Sequence, residues 1–378
     1  MSRFVRVVAI FALTVIAVLP WAGAAQNKDD KGERERISTV DGVDLSAKFY
    51  PCREGKIKNP PVILMLHPLG ESSTKKNWAA LAELLSEKAA VLTFDFRGHG
   101  QSTDIQPEQF WKIKFNQSVT NIKNAFKLAG ENRNTIEFKE FEKPYYPALI
   151  NDIAACKLYL DHKHNQGLCN SSRLILVGAE EGATLGAIWL NSEWHRHRLV
   201  QHPVTLLQAP DLKAEGQDVI GCVWLSARSH LGSRTVAVGS TLSIPLKDKA
   251  TPMAFLYGEE DEKAKSVATG AVKFKTSKTK NNYPYTDAVP VKGTKLAGAE
   301  LLQKSLKVDQ SIYGYLFGND KVDGIVDAKR PPWAEREIRK VQYIWRVPGT
   351  PPGASGPVAN PLNDAKLYFD SYVKYIKS

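Results

Sequence analysis

Short, unbroken apolar runs recur along this chain with helix-length segments between them, and that alternation restricts the fold more than any other feature. Val62–Leu66 (VILML), Val91–Phe94 (VLTF), Arg173–Val177 (RLILV), GCVWLSA from Gly221 and PMAFLYG from Pro252 are of this kind. A run of four to seven residues bounded by turn residues reads as a strand covered on both faces. Between the runs, TKKNWAALAELLSEKA sets Trp78, Leu81, Leu84 and Leu85 at helical spacing, and Ile150 with the NDIAACKLYLDHKH that follows it is an amphipathic helix. A long helix is expected from about Glu181 past Trp189, and a last core helix over Ala299–Leu316. Further strands are expected at VTLLQA, from Val204, and around Val289, and ISTVDGVDLSAKFY reads as a hairpin about Asp41-Gly42. Alternating strands and helices predict an α/β fold with a mostly parallel central sheet and helices on both faces.

Two regions break the rhythm. Residues 104–147 are polar and aromatic without alternation, an insertion after the fourth core strand expected to cover the top of the sheet. Residues 318–378 contain VPGTPPGASGPVANP and read as a C-terminal extension, with YFDSYVKYIKS as a terminal helix. At the other end, Arg3 and Arg6 precede the apolar run Val7–Leu19, then Pro20 and the small residues Ala22-Gly23-Ala24. Residues 1–25 therefore read as a secretory signal peptide cleaved near Ala24 or Ala25, and the protein as exported, leaving 26–317 as the core domain. The apolar run falls short of the about 20 residues a membrane span needs, so no stable span is expected.

With 43% hydrophobic and 24% charged residues over 378 positions, the chain has material for a real core and is not of the disordered class. Of its four cysteines, Cys156 and Cys169 are near enough in sequence to pair, and buried free thiols are the alternative; no spacing is that of a zinc site. The net charge of +11 is concentrated late: residues 263–378 hold twenty Lys and Arg against ten Asp and Glu, and Lys263–Lys280 has six lysines and no acid. That basic third is either a solvated face or a surface for a polyanion or an anionic membrane. No nucleic-acid motif accompanies it.

Four motifs occur in order: HPLG at His67–Gly70, FDFRGHGQS at Phe94–Ser102, LILVGAEEGA from Leu174, and FLYGEEDE at Phe255–Glu262. Together they resemble the α/β-hydrolase family over about residues 37–317. In that family the strand-to-helix corner reads G-x-S-x-G and exposes a serine nucleophile. Here Gly178 and Gly182 are kept and Glu180 stands in the serine position. The resemblance places the triad acid at Asp261, among Glu259, Glu260 and Glu262, and the base where VKGTKLAGAELL has Ala297-Gly298 or Lys295. No histidine follows His230, so both nucleophile and base of the serine mechanism are missing.

The resemblance also places an oxyanion hole at the amides of Glu181 and the loop near Leu69. Glu180 is expected to fold its carboxylate toward those donors as a plug. A carboxylate-based site of Glu180, Asp261 and a migrated base, His230, is the catalytic alternative. His67 and His99 are expected to serve structural hydrogen bonds. His162, His164, His195, His197 and His202 read as a solvated group rather than a metal site, and neither metal nor cofactor is expected. The overall expectation is an exported hydrolase-fold protein that binds or scaffolds, with the aromatic insertion and basic third as contact surfaces; the alternative is a hydrolase of esters or related bonds.

Overall fold

The computed structural model describes residues 32–345 apart from 56, 202–207, 249–250, 276–285, 320–321, 329–332, 337 and 339–342. The expected YFDSYVKYIKS helix, the signal peptide and His202 lie outside the described residues, as does most of VTLLQA. Eight strands form the central sheet: β1 (Glu33–Ser38), β2 (Asp44–Tyr50), β3 (Pro61–Leu66), β4 (Ala90–Phe94), β5 (Asn170–Ala179), β6 (Val219–Leu225), β7 (Met253–Gly258) and β8 (Asp287–Val291). Their spatial order is β1-β2-β4-β3-β5-β6-β7-β8. β2 runs antiparallel to β1 and β4, and every ladder from β4 to β8 is parallel.

The residues of β3 are all buried, and their alternation divides the core. Val62, Leu64 and Leu66 face one hydrophobic cluster, whereas Ile63 and Met65 face the other. Six helices matter to the layers: α1 (Lys76–Leu85), α2 (Ile122–Gly130), α3 (Ile150–Asn165), α4 (Glu181–His195), α5 (Glu262–Val272) and α6 (Val308–Phe317). Buried residues of α3, α4 and α5 join the first cluster, and those of α1 and α6 the second. Each fully buried aliphatic side chain contributes roughly 1.5–3 kcal/mol relative to exposure, so the paired faces bind the layers together.

Several local expectations need correction. In α1 the buried set is Trp78, Leu81, Ala82 and Leu85, so Ala82 rather than Leu84 completes the core face. The single helix expected over Ala299–Leu316 is instead two 3-10 turns, Gly298–Leu302 and Lys304–Leu306, followed by α6. Lys307, at φ 53°, resets the backbone in the left-handed region and prevents one continuous helix. Residues Gln208–Ala214 form a strand, but outside the main sheet: they pair with Arg196–Gln201, which pairs in turn with Tyr343–Trp345.

Most of the aromatic residues expected to form a contact surface on the insertion are instead core. Phe110 and Tyr145 are fully buried, and Trp111 and Phe141 nearly so, all within the first core cluster. Arg97, also fully buried, ties this region together. Its guanidinium donates to Asp41 Oδ2 at 2.6 Å, to Asp152 Oδ1 at 2.8 Å and to the Tyr145 hydroxyl at 2.9 Å. One cation thus joins the first hairpin, the turn after β4, the insertion and α3. Cys156 and Cys169 are buried free thiols, and burial raises both of their pKa values.

Candidate functional site

β5 ends in a sharp corner before α4, with Glu180 at φ 48° and ψ −119°. A non-glycine residue in that region is strained, and here the packing leaves no alternative. A Cβ on Gly182 would lie 2.3 Å from the His67 carbonyl oxygen, and one on Gly178 2.7 Å from Ala183 Cα. Only glycine at both positions lets α4 approach the end of β3.

The Glu180 side chain does not cap α4. It reaches sideways to Arg228, three residues beyond β6, whose Nη2 and Nε donate to Glu180 Oε2 at 2.9 and 3.2 Å. The same guanidinium donates through Nη1 to Asp261 at 2.9 and 3.1 Å. Burial alone would lower the Arg228 pKa, but the two carboxylates outweigh it and raise it. The expected plug of the oxyanion hole by Glu180 is therefore corrected: the competing guanidinium takes its carboxylate.

Three further contacts hold this arrangement. The Thr184 hydroxyl in α4 donates to the Arg228 carbonyl at 2.6 Å, anchoring the arginine to the corner. Asp261 accepts from the Ala264 amide at 3.1 Å and so caps α5 while binding Arg228. Gly298, at φ 51°, lies where the resemblance placed the base, and a Cβ there would come within 2.3 Å of Glu180 Oε1. The carboxylate of Glu180 thus packs on the backbone where a histidine side chain would have to emerge.

Glu181 takes the other side of the corner. Its half-buried carboxylate lines the cavity next to the amide expected in the oxyanion hole. Burial first, and then the neighbouring charge of Glu180, raise its pKa against the pull of Arg228. Leu69 is half-buried against the core. In the same loop the Gly70 amide donates to His99 Nε2 at 2.9 Å.

His67 and His99 are structural. His67 Nε2 accepts from the Phe96 amide at 3.0 Å, which leaves Nδ1 to donate to the Pro68 carbonyl at 2.7 Å. His99 likewise accepts at Nε2 and donates from Nδ1 to the Arg97 carbonyl at 2.9 Å. Burial lowers both pKa values, that of His99 to about 4. His230 is exposed, with Ser229 Oγ 3.0 Å from Nδ1 and Thr235 Oγ1 3.5 Å from Nε2.

A cavity of about 690 Å³ opens above the corner, and Glu181, Arg228, His230, Asp261, Lys263 and Lys295 are among the residues lining it. The structure therefore brings Glu181, Asp261 and His230 to one pocket, with Glu180 bound to Arg228 at its floor. Of the lining residues, Glu181, Asp261 and Arg228 are half-buried, two carboxylates against one guanidinium that Glu180 also binds. Exposed at the rim, Glu260 and Glu262 balance Lys263 and Lys295. Among the described residues no group of three or more His, Cys, Asp and Glu is placed to hold a metal ion.

Arg228 is the residue that sequence reasoning missed. The available signal was position: in a sheet ordered β5-β6-β7, a residue just past β6 stands between the ends of its neighbours. With that order and the strained corner established, a family model adds the deciding observation: residues 61–130 match the one described as the alpha/beta hydrolase fold. The fold is the α/β-hydrolase fold. An esterase of Pyrococcus furiosus, Pf2001, is similar in structure at 15% identity and TM-score 0.45, covering 74% of this chain and 90% of that one. A dienelactone hydrolase from Anabaena variabilis is similar at 13% identity and TM-score 0.43, covering 75% and 94%. Est1E from Butyrivibrio proteoclasticus, with ferulic acid bound, gives 13% identity, TM-score 0.43 and coverage of 74% and 97%. No curated protein matches the chain in sequence.

Proposed function

We propose that this hydrolase-fold chain is an exported binding protein in which the acyl-transfer corner has become an ion bridge. The observation that carries the reading is Arg228, held between Glu180 in the nucleophile position and Asp261 in the acid position. A carboxylate bound by a guanidinium and packed on Gly298 is a poor nucleophile, because attack would strip it of its counter-ion. Water activation is no better served, since the ring nitrogens of His230 lie beside Ser229 and Thr235 hydroxyls. The fold alone establishes no chemistry.

The pocket supports a small ligand carrying positive charge. Glu181 and Asp261 face the pocket beside a guanidinium that Glu180 already shares, so the half-buried lining repels an incoming carboxylate and attracts an ammonium or guanidinium group.

Treatment of the purified protein with a fluorophosphonate, alongside hydrolysis of short p-nitrophenyl esters, tests the reading. The expected result is neither labelling nor turnover, with thermal stabilisation by small amines and none by the matching carboxylic acids. Turnover abolished by Glu180→Gln or His230→Ala would replace this reading with a carboxylate-based hydrolase. Export is tested by Edman sequencing of the protein recovered outside the cytoplasm, where the first residue is expected near Ala25 or Gln26.

A further inference from the structure

We infer that the insertion helix α2 is a docking edge for an anionic lipid surface. Ile122 and Phe126 are 66% and 63% exposed, the two most exposed of the large hydrophobic residues that stand out on the described surface. They lie four positions apart on one helix, so their side chains are neighbours. The flank of α2 beside this pair is committed: Ala125 is buried, and Leu128 and Ala129 pack on the core. Asn121 caps the helix start by accepting from the Asn124 amide at 3.1 Å, so the segment is held as a helix with its apolar pair outward.

The charge around this pair decides what it meets. From Gln109 to Gly130 the chain contains Lys112, Lys114, Lys123 and Lys127 and no Asp or Glu. All four lysines are exposed. Lys127 approaches Glu131 at 3.7 Å, with side chains 72% and 56% exposed, a contact that solvent screens heavily. Two apolar side chains on a helix that also carries exposed Lys123 and Lys127, in a stretch with two further exposed lysines, complement a bilayer with anionic headgroups, where the lysines meet phosphate and the side chains enter the interface. A soluble polyanion would use the lysines and leave Ile122 and Phe126 in water. This inference is independent of the pocket and its ligand.

Flotation of the full-length mature protein with vesicles of equal parts phosphatidylglycerol and phosphatidylcholine tests it. Binding is expected to vesicles containing phosphatidylglycerol, to weaken with salt, and to be nearly absent with phosphatidylcholine alone. The exposed pair Ile122→Ser/Phe126→Ser is expected to keep the unfolding midpoint and to lower vesicle affinity by about tenfold or more. Replacing Lys112, Lys114 and Lys123 by Ala is expected to lower affinity and flatten the salt dependence. Failure of the wild-type protein to float overturns the inference, as does binding that survives Ile122→Ser/Phe126→Ser; the latter would move the contact to the basic C-terminal third.

Discussion

Arg228 has three side-chain nitrogens and divides them between two carboxylates, so its removal does more than delete one ion pair. Arg228→Ala would leave Glu180 and Asp261 facing each other across a half-buried gap, repelling where they were bridged. The three side chains are 9–25% exposed, so solvent moderates the penalty, and a loss of about 1–3 kcal/mol in urea unfolding is expected. Arg228→Lys should recover only part, because one ammonium cannot fork to both partners. Adding Glu180→Gln to Arg228→Ala should restore stability, and its failure to do so would mean the bridge contributes little. Glu180 and Asp261 were legible because each sits in a motif with a fixed place. Arg228 was not, because its meaning comes from the lateral order of strands far apart in the chain.

At the scale of elements, the turn after β4 is held by two histidines whose hydrogen bonds require neutral rings. Each accepts a backbone N–H at Nε2, which a protonated ring cannot do. For His99 the native pKa is about 4, depressed by burial and by His67, below the 6.5 of an unstructured ring. Between those values the unfolded chain binds a proton that the native one refuses. The stabilising contribution is complete above pH 6.5 and declines by up to about 1.4 kcal/mol per pH unit as pH falls toward 4. Unfolding curves from pH 7.5 to 4.5 are expected to show that decline, and His99→Gln to make it shallower; identical slopes would refute the assignment.

The corner between β5 and α4 carries a second prediction at this scale. Gly182→Ala would put a methyl 2.3 Å from the His67 carbonyl oxygen, a backbone atom that no side-chain rotation can move aside. The helix must then back away, and a loss of about 3 kcal/mol or failure to fold is expected, against a small effect for Gly270→Ala, where nothing lies within 4 Å. The strands and α1 were legible because local periodicity sets them. The split before α6 was not: Lys307 adopts φ 53° in a segment that otherwise reads as continuous helix.

For the whole molecule, the stretch after residue 317 is tied into the fold at separate places. Ile325 is fully buried in the second core cluster, and Arg173 donates to the Val326 carbonyl at 2.6 Å. Farther on, Arg336 enters the acidic ground between the end of α3 and the sheet. Its Nη1 donates to Ser172 Oγ at 2.7 Å and its Nη2 to Asp218, while Asp161 lies 3.0 Å from its Nε. Asp161 and Asp218 are held below the usual carboxylate range because Lys157 and Arg336 outweigh the effect of burial. Composition and proline content marked this stretch as an extension and could not reveal its attachment, since its partners come from residues 161–218. Arg336→Ala would leave Lys157 the nearest buried cation to two buried carboxylates, and a loss of about 3 kcal/mol is expected at neutral pH. Because the missing charge matters only while the aspartates are ionised, the difference from wild type should shrink as pH falls below the usual carboxylate pKa. Removing residues 318–378 altogether should cost more than Arg336→Ala, because Ile325 leaves the core as well. A truncated chain with the wild-type unfolding midpoint would show the attachment to be superficial.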